Sequence, residues 1–303
     1  MKRAVIILSL LAAACGGAMA QSDDSVEALL AKTYAAQVHR DSIDESRLVA
    51  VYDYSVKTVD ADGKAVTDAM LLAVQVGTHC TRSFPYRQYC EDIGELESFC
   101  EEELRLRFSD ALLLMPSVWT GYPEGQMTVR DYILPNIFEA REEKPSIKWT
   151  LLDDTLNLCG YPCKTATGEL YGKQWTVRYT EDIPSAAGPW KLCGLPGLIV
   201  DATDSKGVHH FALKCAEQVA SAIYYEHSAI TNRVSAKELR KNKNRVFGNK
   251  AYTRNPTYYI LDKKRTLQAT DMVFGAIDGQ QVDISNGMPV LENAHRYQPL
   301  ELK

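Results

Sequence analysis

The sequence contains 303 residues, of which 46% are hydrophobic, and its 39 acidic and 34 basic side chains give a formal net charge of −5. This balance disfavours a generic nucleic-acid binder, which is usually basic. The apolar content is that of a globular protein with a core of its own and excludes an intrinsically disordered chain.

The first twenty residues predict export from the cytoplasm. Two basic residues at positions 2 and 3 precede an apolar run over residues 4–14, and Ala18-Met19-Ala20 offers the small residues that a signal peptidase reads. The run is shorter than the roughly 20 residues that cross a bilayer as a helix. We therefore expect a signal peptide over residues 1–20, cleaved before Gln21.

Lipidation at Cys15 is the alternative, because Ala12-Ala13-Ala14-Cys15 loosely resembles the end of a lipoprotein signal. Removal of residues 1–20, which include two basic and no acidic side chains, brings the formal charge to −7. The remaining residues 21–303 fit one large domain.

Periodicity then predicts the first elements of this domain. Residues 25–38 have the apolar spacing of a short helix, whereas residues 47–57 alternate between apolar and polar side chains as a strand does. A turn sequence at 60–63 and renewed alternation over 72–76 predict a β-hairpin.

The next part of the chain is rich in cysteine and acid and resembles an insertion over about residues 80–125. Apolar residues at spacings of three and four predict a helix over 93–108. Two prolines and two glycines predict a loop over 116–126.

The centre and the end of the chain predict a meander of strands followed by one helix. The expected strands are 149–152, 156–166, 175–180, 198–203 and 209–215, with turns at 153–155 and 204–207. No segment of helical length separates them, so the sheet should be antiparallel. Ser235 to Glu238 forms a capping-box pattern that opens a short basic helix. The expected class is mainly β with minor helices (α+β).

Residues 188–199, GPWKLCGLPGLI, form what we call the signature segment. Its prolines fix φ and remove N–H donors, and its glycines allow conformations closed to other residues, so we expect a structural corner before a strand. Lys191 and Cys193 are its only reactive side chains. The motif residues are Gly188, Pro189, Trp190, Gly194, Leu195, Pro196, Gly197, Leu198 and Ile199.

The signature segment resembles the motif of the GLPGLI family, named for residues 194–199. The resemblance extends to Cys163–Ala166, Tyr171–Trp175, Tyr179–Pro184 and the ending Tyr297–Leu302. Lys173 departs from it, because many relatives carry arginine there. The resemblance implies an exported protein of a Gram-negative bacterium, often encoded beside outer-membrane transport machinery, with no established activity. By analogy it implies a curved antiparallel sheet like the half-barrel of periplasmic lipoprotein carriers.

Seven cysteines follow the signal peptide, and an oxidising compartment should pair most of them. Spacing alone does not fix the pairs. The candidates are Cys80, Cys90, Cys159, Cys163, Cys193 and Cys215. Cys163 with Cys193 is the preferred pair, because both belong to the region that resembles the family. Cys159 and Cys163 also form a C-x₃-C pattern, but no predicted helix follows it to lower a thiol pKa, which disfavours redox catalysis.

Other chemistries lack a motif. The possible metal ligands are His79, Cys80, His209, His210, Cys215 and His227. His209 and His210 should point to opposite faces of a strand and cannot share an ion there. There is no Gly-x-Ser-x-Gly elbow, P-loop or GxGxxG in the sequence. We therefore expect no catalytic residue, metal or cofactor.

The expected function is a non-catalytic cell-envelope module that binds a protein partner, such as an outer-membrane transporter. One alternative is a periplasmic carrier whose concave sheet shelters a lipid or another apolar ligand. Another is a thiol–disulfide or metal-handling protein that uses its Cys and His residues. No nucleic acid is expected as a partner.

Overall fold

The structure, a computed structural model, describes residues 38–60, 63–95, 115–133, 136–228, 231–247, 258–261, 267–270, 274–277, 280–283 and 297–302. The expected signal peptide with Cys15 lies outside the described residues. So do all but the last residue of the helix expected over 25–38 and residues 96–108 of the helix expected over 93–108.

The described chain is mainly β. Its strands are β1 (Val38–Ser46), β2 (Leu48–Val59), β3 (Ala65–Val76), β4 (Thr81–Pro85), β5 (Ser117–Thr120), β6 (Gln126–Ile133), β7 (Asn136–Glu143), β8 (Thr150–Leu158), β9 (Tyr161–Leu170), β10 (Lys173–Thr180), β11 (Leu198–Asp204), β12 (His209–Glu217), β13 (Ser221–Ser228), β14 (Thr231–Val234), β15 (Tyr258–Leu261), β16 (Leu267–Thr270), β17 (Phe274–Ile277) and β18 (Gln280–Asp283). Two helices are described, α1 (Tyr86–Ile93) and α2 (Ala236–Phe247).

Twelve strands form one large sheet in the order β14-β7-β6-β5-β4-β3-β2-β12-β11-β10-β9-β8. Its neighbours are antiparallel except for β14 and β7, which are parallel. β1 and β13 form a separate ribbon, and β15 to β18 form a small four-stranded sheet. The short connections explain the antiparallel pairing, because parallel neighbours need a long crossover. The expected class, mainly β with an antiparallel sheet and minor helices, is confirmed.

The hairpins differ from expectation in one place. The turns at 60–63 and 204–207 close with N–H to C=O bonds of 3.1 and 2.8 Å. The turn expected at 153–155 is wrong, because β8 continues through a bulge there. The Asp154 carboxylate accepts the Thr165 N–H at 3.1 Å and replaces a ladder bond. The chain instead reverses at Cys159 and Gly160, whose positive φ values suit a two-residue hairpin.

One further expectation, a loop, is corrected between β3 and β6, and of the helix expected over 93–108 only residues 93–95 are described. The described helix ends at Ile93, where the expected one begins, because Gly94 adopts a left-handed conformation (φ 82°) and caps α1. The loop expected over 116–126 contains β5, which pairs with β4 and β6. Pro116 precedes this strand, and both glycines follow it, so none of them interrupts the ladder.

The two faces of the large sheet are covered differently. Alternate residues of its strands, including Tyr52, Trp175 and Phe211, form the main apolar cluster together with the signature segment. On the opposite face the β1–β13 ribbon packs over Trp119, whose indole N–H donates to the Tyr224 carbonyl at 2.9 Å. We call the first face, which the signature segment covers, the filled face.

Candidate functional site

The signature segment folds into a hydrogen-bonded corner against the filled face. The Leu192 N–H donates to the Pro189 carbonyl at 3.1 Å, and the Gly194 N–H donates to the Ala186 carbonyl at 2.9 Å. The Trp190 N–H donates to the Ser83 hydroxyl on β4 at 2.8 Å. The corner is therefore fixed both to itself and to a strand more than a hundred residues away.

Trp190 adopts a positive φ of 55°, which is costly for a bulky residue. Tyr171, in the turn between β9 and β10, has a φ of 48°. The rings of these two residues lie 5.9 Å apart between centroids. Strained residues persist only where their surroundings hold them, and they concentrate at functional sites. The strain thus marks the surroundings of Trp190 and Tyr171 as a candidate site.

The next residue, Lys191, lies in the centre of this region. Its side chain is 2% exposed, and its ammonium contacts a carboxylate oxygen of Glu142 on β7 and one of Glu301 at 2.6 Å. The other oxygen of Glu301 accepts from Arg240 on α2 at 3.2 Å. The Lys191 ammonium also lies 4.6 Å from the centre of the Tyr171 ring, in a cation–π contact. We call these five residues the Lys191 cluster.

Burial and the neighbouring carboxylates raise the pKa of the Tyr171 phenol. The phenol therefore stays protonated and can only serve as a neutral hydrogen-bonding group. The ammonium and guanidinium of the cluster face two carboxylates, so its formal charges balance. A buried charge is tolerated when it is paired and hydrogen-bonded. The pairs of this cluster therefore connect the signature segment with β7, α2 and Glu301.

A cavity of about 40 Å³ adjoins the Lys191 cluster. It lies between β2, β6, α2, the signature segment and residues 297–302, which we call the C-terminal segment. The Leu302 N–H donates to the Tyr171 carbonyl at 2.9 Å and helps to keep this segment in place. A water molecule needs roughly 10–15 Å³ on such a measure, so the cavity has room for a few water molecules or one small molecule.

His209 connects the cavity wall to the centre of the filled face. It is fully buried, and its Nδ1 lies 2.8 Å from the Tyr54 hydroxyl. Burial, and to a smaller extent the nearby Lys173 ammonium, lower the pKa of His209 to about 4. Asp204 and a hydrogen bond with the Pro299 backbone act in the opposite direction. His209 is therefore a neutral imidazole at pH 7.

The pKa of His209 predicts a loss of stability in acid. The unfolded chain binds a proton at His209 below about pH 6.5, and the folded chain does so only near pH 4. The free energy of unfolding should thus fall by up to about 3 kcal/mol between pH 7 and pH 4 from this group. Urea denaturation across this range should give a weaker pH dependence for His209→Gln than for the wild type.

Tyr54→Phe serves as the control for this experiment. It removes the hydroxyl beside Nδ1 but leaves His209 buried, so it should retain the pH dependence while lowering stability at every pH. If His209→Gln and the wild type show equal slopes, burial of a neutral His209 is not the source of acid sensitivity.

The structure joins none of the six described cysteines in a disulfide, including the preferred pair of Cys163 and Cys193, so the pairing stays a prediction. The thiols make other contacts: Cys159 donates to the Leu213 carbonyl at 3.1 Å, and Cys163 donates to the Tyr161 carbonyl at 3.4 Å. Cys215 does not continue the alternation of β12, because a bulge follows Leu213 and leaves it exposed.

Burial also makes several thiols poor nucleophiles. It raises the pKa of Cys80 to about 12, and it raises the pKa of Cys163, Cys193 and Cys215 as well. Reactive cysteines have the opposite shift, because the thiolate is the nucleophile. Cys90 is buried against Phe84 and Tyr89 in a small apolar cluster.

The histidines considered as metal ligands lie apart. His209 is buried, whereas His210 points to the other face and pairs with Asp201 at 2.6 Å. His227 pairs with Asp41 at 3.0 Å on the ribbon. Within the described ranges no three His, Cys, Asp or Glu residues are arranged to hold a metal ion. Neither described helix is long and apolar enough to cross a membrane.

The sequence indicates part of the Lys191 cluster and not the rest. Lys191 is the only base of the signature segment, and Tyr171 and Glu301 lie within stretches that resemble the GLPGLI family. Glu142 belongs to no motif, and Arg240 is one of several basic residues in its helix. A carboxylate in the middle of a strand carries no periodic signal, so nothing in the sequence connected these residues.

Comparisons with known proteins add little to this geometry. No family model matches the chain, and no curated protein matches it. The solved structures that it resembles include PNGF-II in space groups P21 and C2, with a TM-score of 0.41 and 11% identity in each case. The match covers 66% of this chain and 33% or 32% of the PNGF-II chain, so this chain spans about a third of its length.

Proposed function

We propose that the chain is an exported cell-envelope protein of the GLPGLI type and acts as a non-catalytic module that binds a protein partner. The partner would belong to the envelope, with outer-membrane transport machinery as the expected class. One observation carries the choice of a module over a lipid carrier, namely that the filled face is occupied by the chain itself.

The main apolar cluster contains Trp190, Leu192 and Leu195 of the signature segment as well as Leu300 of the C-terminal segment. Beside them the described residues line a cavity of about 40 Å³. A pocket for a drug-sized apolar ligand needs roughly 300–1,000 Å³. A lipid would therefore have to displace the signature segment, which supports a binding module over a carrier.

Two of the four exposed large apolar residues in the described part of the chain lie together at one edge of the large sheet, which favours this edge for partner binding. Leu151 and Leu152 on β8 are 60% and 44% exposed, at the end of the large sheet. The bulge that follows Leu151 and the Asp154 carboxylate interrupt the regular ladder, which disfavours the addition of a partner strand. The partner should therefore contact the leucine side chains through an apolar pocket of its own.

Photo-cross-linking in the native envelope tests this proposal. A photoreactive amino acid at position 151 should give one discrete protein adduct, and the same amino acid at the exposed Glu169 on β9 should give at least about tenfold less. Leu151→Asp should reduce the amount of partner that co-purifies with the chain by a similar factor. The mature N-terminus should be Gln21.

Native mass spectrometry of the purified chain gives the results that would contradict the proposal. A stoichiometric lipid on the folded chain, without a protein partner, would show that the chain is a lipid carrier and not a partner-binding module. An intact N-terminus on cytosolic material would remove the proposal of export.

A further inference from the structure

One row across the large sheet consists of hydroxyl side chains and one imidazole in six consecutive strands. The pairing places Ser55 opposite His210, His210 opposite Thr203, and Thr203 opposite Thr176. It continues from Thr176 to Thr167 and from Thr167 to Thr150. Neighbouring strands lie about 4.8 Å apart, so the row extends over about 24 Å. We call it the hydroxyl row: Ser55 on β2, His210 on β12, Thr203 on β11, Thr176 on β10, Thr167 on β9 and Thr150 on β8.

The hydroxyl row lies on the face opposite the filled face. Ser55 stands between Tyr54 and Val56, which both belong to the main apolar cluster, and successive side chains of a strand point to opposite faces. None of its six residues is buried: Thr150 is exposed and the other five are half-buried. The row is therefore accessible along its length.

The hydroxyls of the row are not used to join its strands. Threonine pairs on neighbouring strands can stabilise a sheet through hydrogen bonds between their side chains. Among the described residues, none donates to or accepts from the five row hydroxyls, which are those of Ser55, Thr150, Thr167, Thr176 and Thr203. Each hydroxyl carries one donor and two acceptor sites. The row thus offers both kinds of hydrogen-bonding group to a molecule outside the chain.

The charges at the row select an uncharged partner. The row contains no lysine, arginine or carboxylate. Beside it, the Asp201 carboxylate contacts both His210 and Arg178 at 2.6 Å, so one guanidinium compensates one carboxylate. The chain as a whole is acidic, with a formal charge of −5. An anionic polymer would be repelled by the chain, and a cationic one would find no carboxylate in the row.

We propose that the hydroxyl row binds a neutral polysaccharide, whose sugar hydroxyls exchange hydrogen bonds with successive side chains of the row. A single hydrogen bond of this kind contributes little, because water competes for both partners. A polymer offers the same groups repeatedly, so several contacts form once the first one holds the chain in place. This surface lies away from the signature segment, and the proposal does not rest on the binding of a protein partner at β8.

Affinity electrophoresis of the purified chain tests the proposal. Native gels would contain dextran, galactomannan or hydroxyethylcellulose as neutral polymers, or alginate as an anionic one. We expect at least one neutral polymer to retard the chain in a concentration-dependent way, and alginate to leave its mobility unchanged. Equal mobility in all three neutral polymers and in a gel without polymer would overturn the proposal, as would equal retardation by alginate.

The double substitution Thr176→Val and Thr203→Val should weaken the retarding interaction at least about tenfold, because it removes two adjacent hydroxyls and keeps the shape and β-propensity of the side chains. Thr81→Val with Thr120→Val is the matched control. These two threonines also lie opposite each other, on β4 and β5, and are half-buried outside the row. Their substitution should leave the retardation unchanged.

A second variant of the row covers the case in which the double substitution prevents folding. Thr167→Lys places a long charged side chain in the middle of the row and should also weaken the interaction at least about tenfold. Full retardation of either folded row variant would place the polysaccharide elsewhere and overturn the assignment. An equal loss in the control variant on β4 and β5 would do the same.

Discussion

Replacing Gly197 with alanine is expected to lower the free energy of unfolding by at least about 4 kcal/mol, a loss seen only for severe steric or burial defects. A Cβ on Gly197 would lie 1.9 Å from the Thr180 carbonyl oxygen and 2.9 Å from the Glu181 Cα. These are backbone atoms at the end of β10, so no side-chain rotation can relieve the clash. The chain must separate β10 from the start of β11 or fail to fold.

Gly160→Ala is the matched control for this prediction. Gly160 has a positive φ, of 84°, which Gly197 lacks, and a Cβ on Gly160 would meet no atom within 4 Å. Its alanine variant should therefore lose only about 1–2 kcal/mol, the cost of a left-handed conformation for an L residue. Urea denaturation followed by tryptophan fluorescence measures both losses. Equal losses would show that glycine is not required at position 197 by the close approach of the signature segment to β10.

The elements that the sequence predicted well are those with one buried face. β12 and residues 52–58 of β2 follow the alternation of their side chains, because polar and apolar residues report directly which face packs on the core. Residues 49–52 of β2 and 72–75 of β3 are instead buried on both faces. The turn predicted at 153–155 is the exception. Aspartate is common in turns, but here the Asp154 carboxylate accepts a hydrogen bond from the neighbouring strand, where β8 forms a bulge.

The candidate site could be predicted only in part, for a different reason. The density of glycine and proline in the signature segment predicts a constrained backbone, and Lys191 is its only base. Its carboxylate partners come from β7 and the C-terminal segment, about 50 and 110 residues away in the chain. Tertiary packing brings these carboxylates to Lys191. The sequence has no periodic pattern at their positions, so the contact could not be predicted from it.

The Lys191 cluster itself yields the second large prediction. Lys191→Met should lower the free energy of unfolding by about 3–5 kcal/mol, because removal of one partner leaves the other buried charges uncompensated. Glu142 and Glu301 share the Lys191 ammonium, so the substitution leaves two carboxylates with Arg240 as the remaining cation that the structure places beside them. Methionine keeps most of the side-chain volume, so the loss reports charge rather than packing.

Lys164→Met is the matched control, because Lys164 also contacts a glutamate, Glu181, at 2.9 Å, but about half of each side chain is exposed. An exposed pair of this kind contributes little to stability, because water and salt screen its charges. Adding Glu301→Gln to Lys191→Met should recover part of the lost stability, since it removes one uncompensated charge. If Lys191→Met costs no more than Lys164→Met, the cluster does not hold the C-terminal segment to the signature segment. The filled face would then have to be stabilised by apolar contacts alone, and a ligand larger than the present cavity could enter it by displacing that segment.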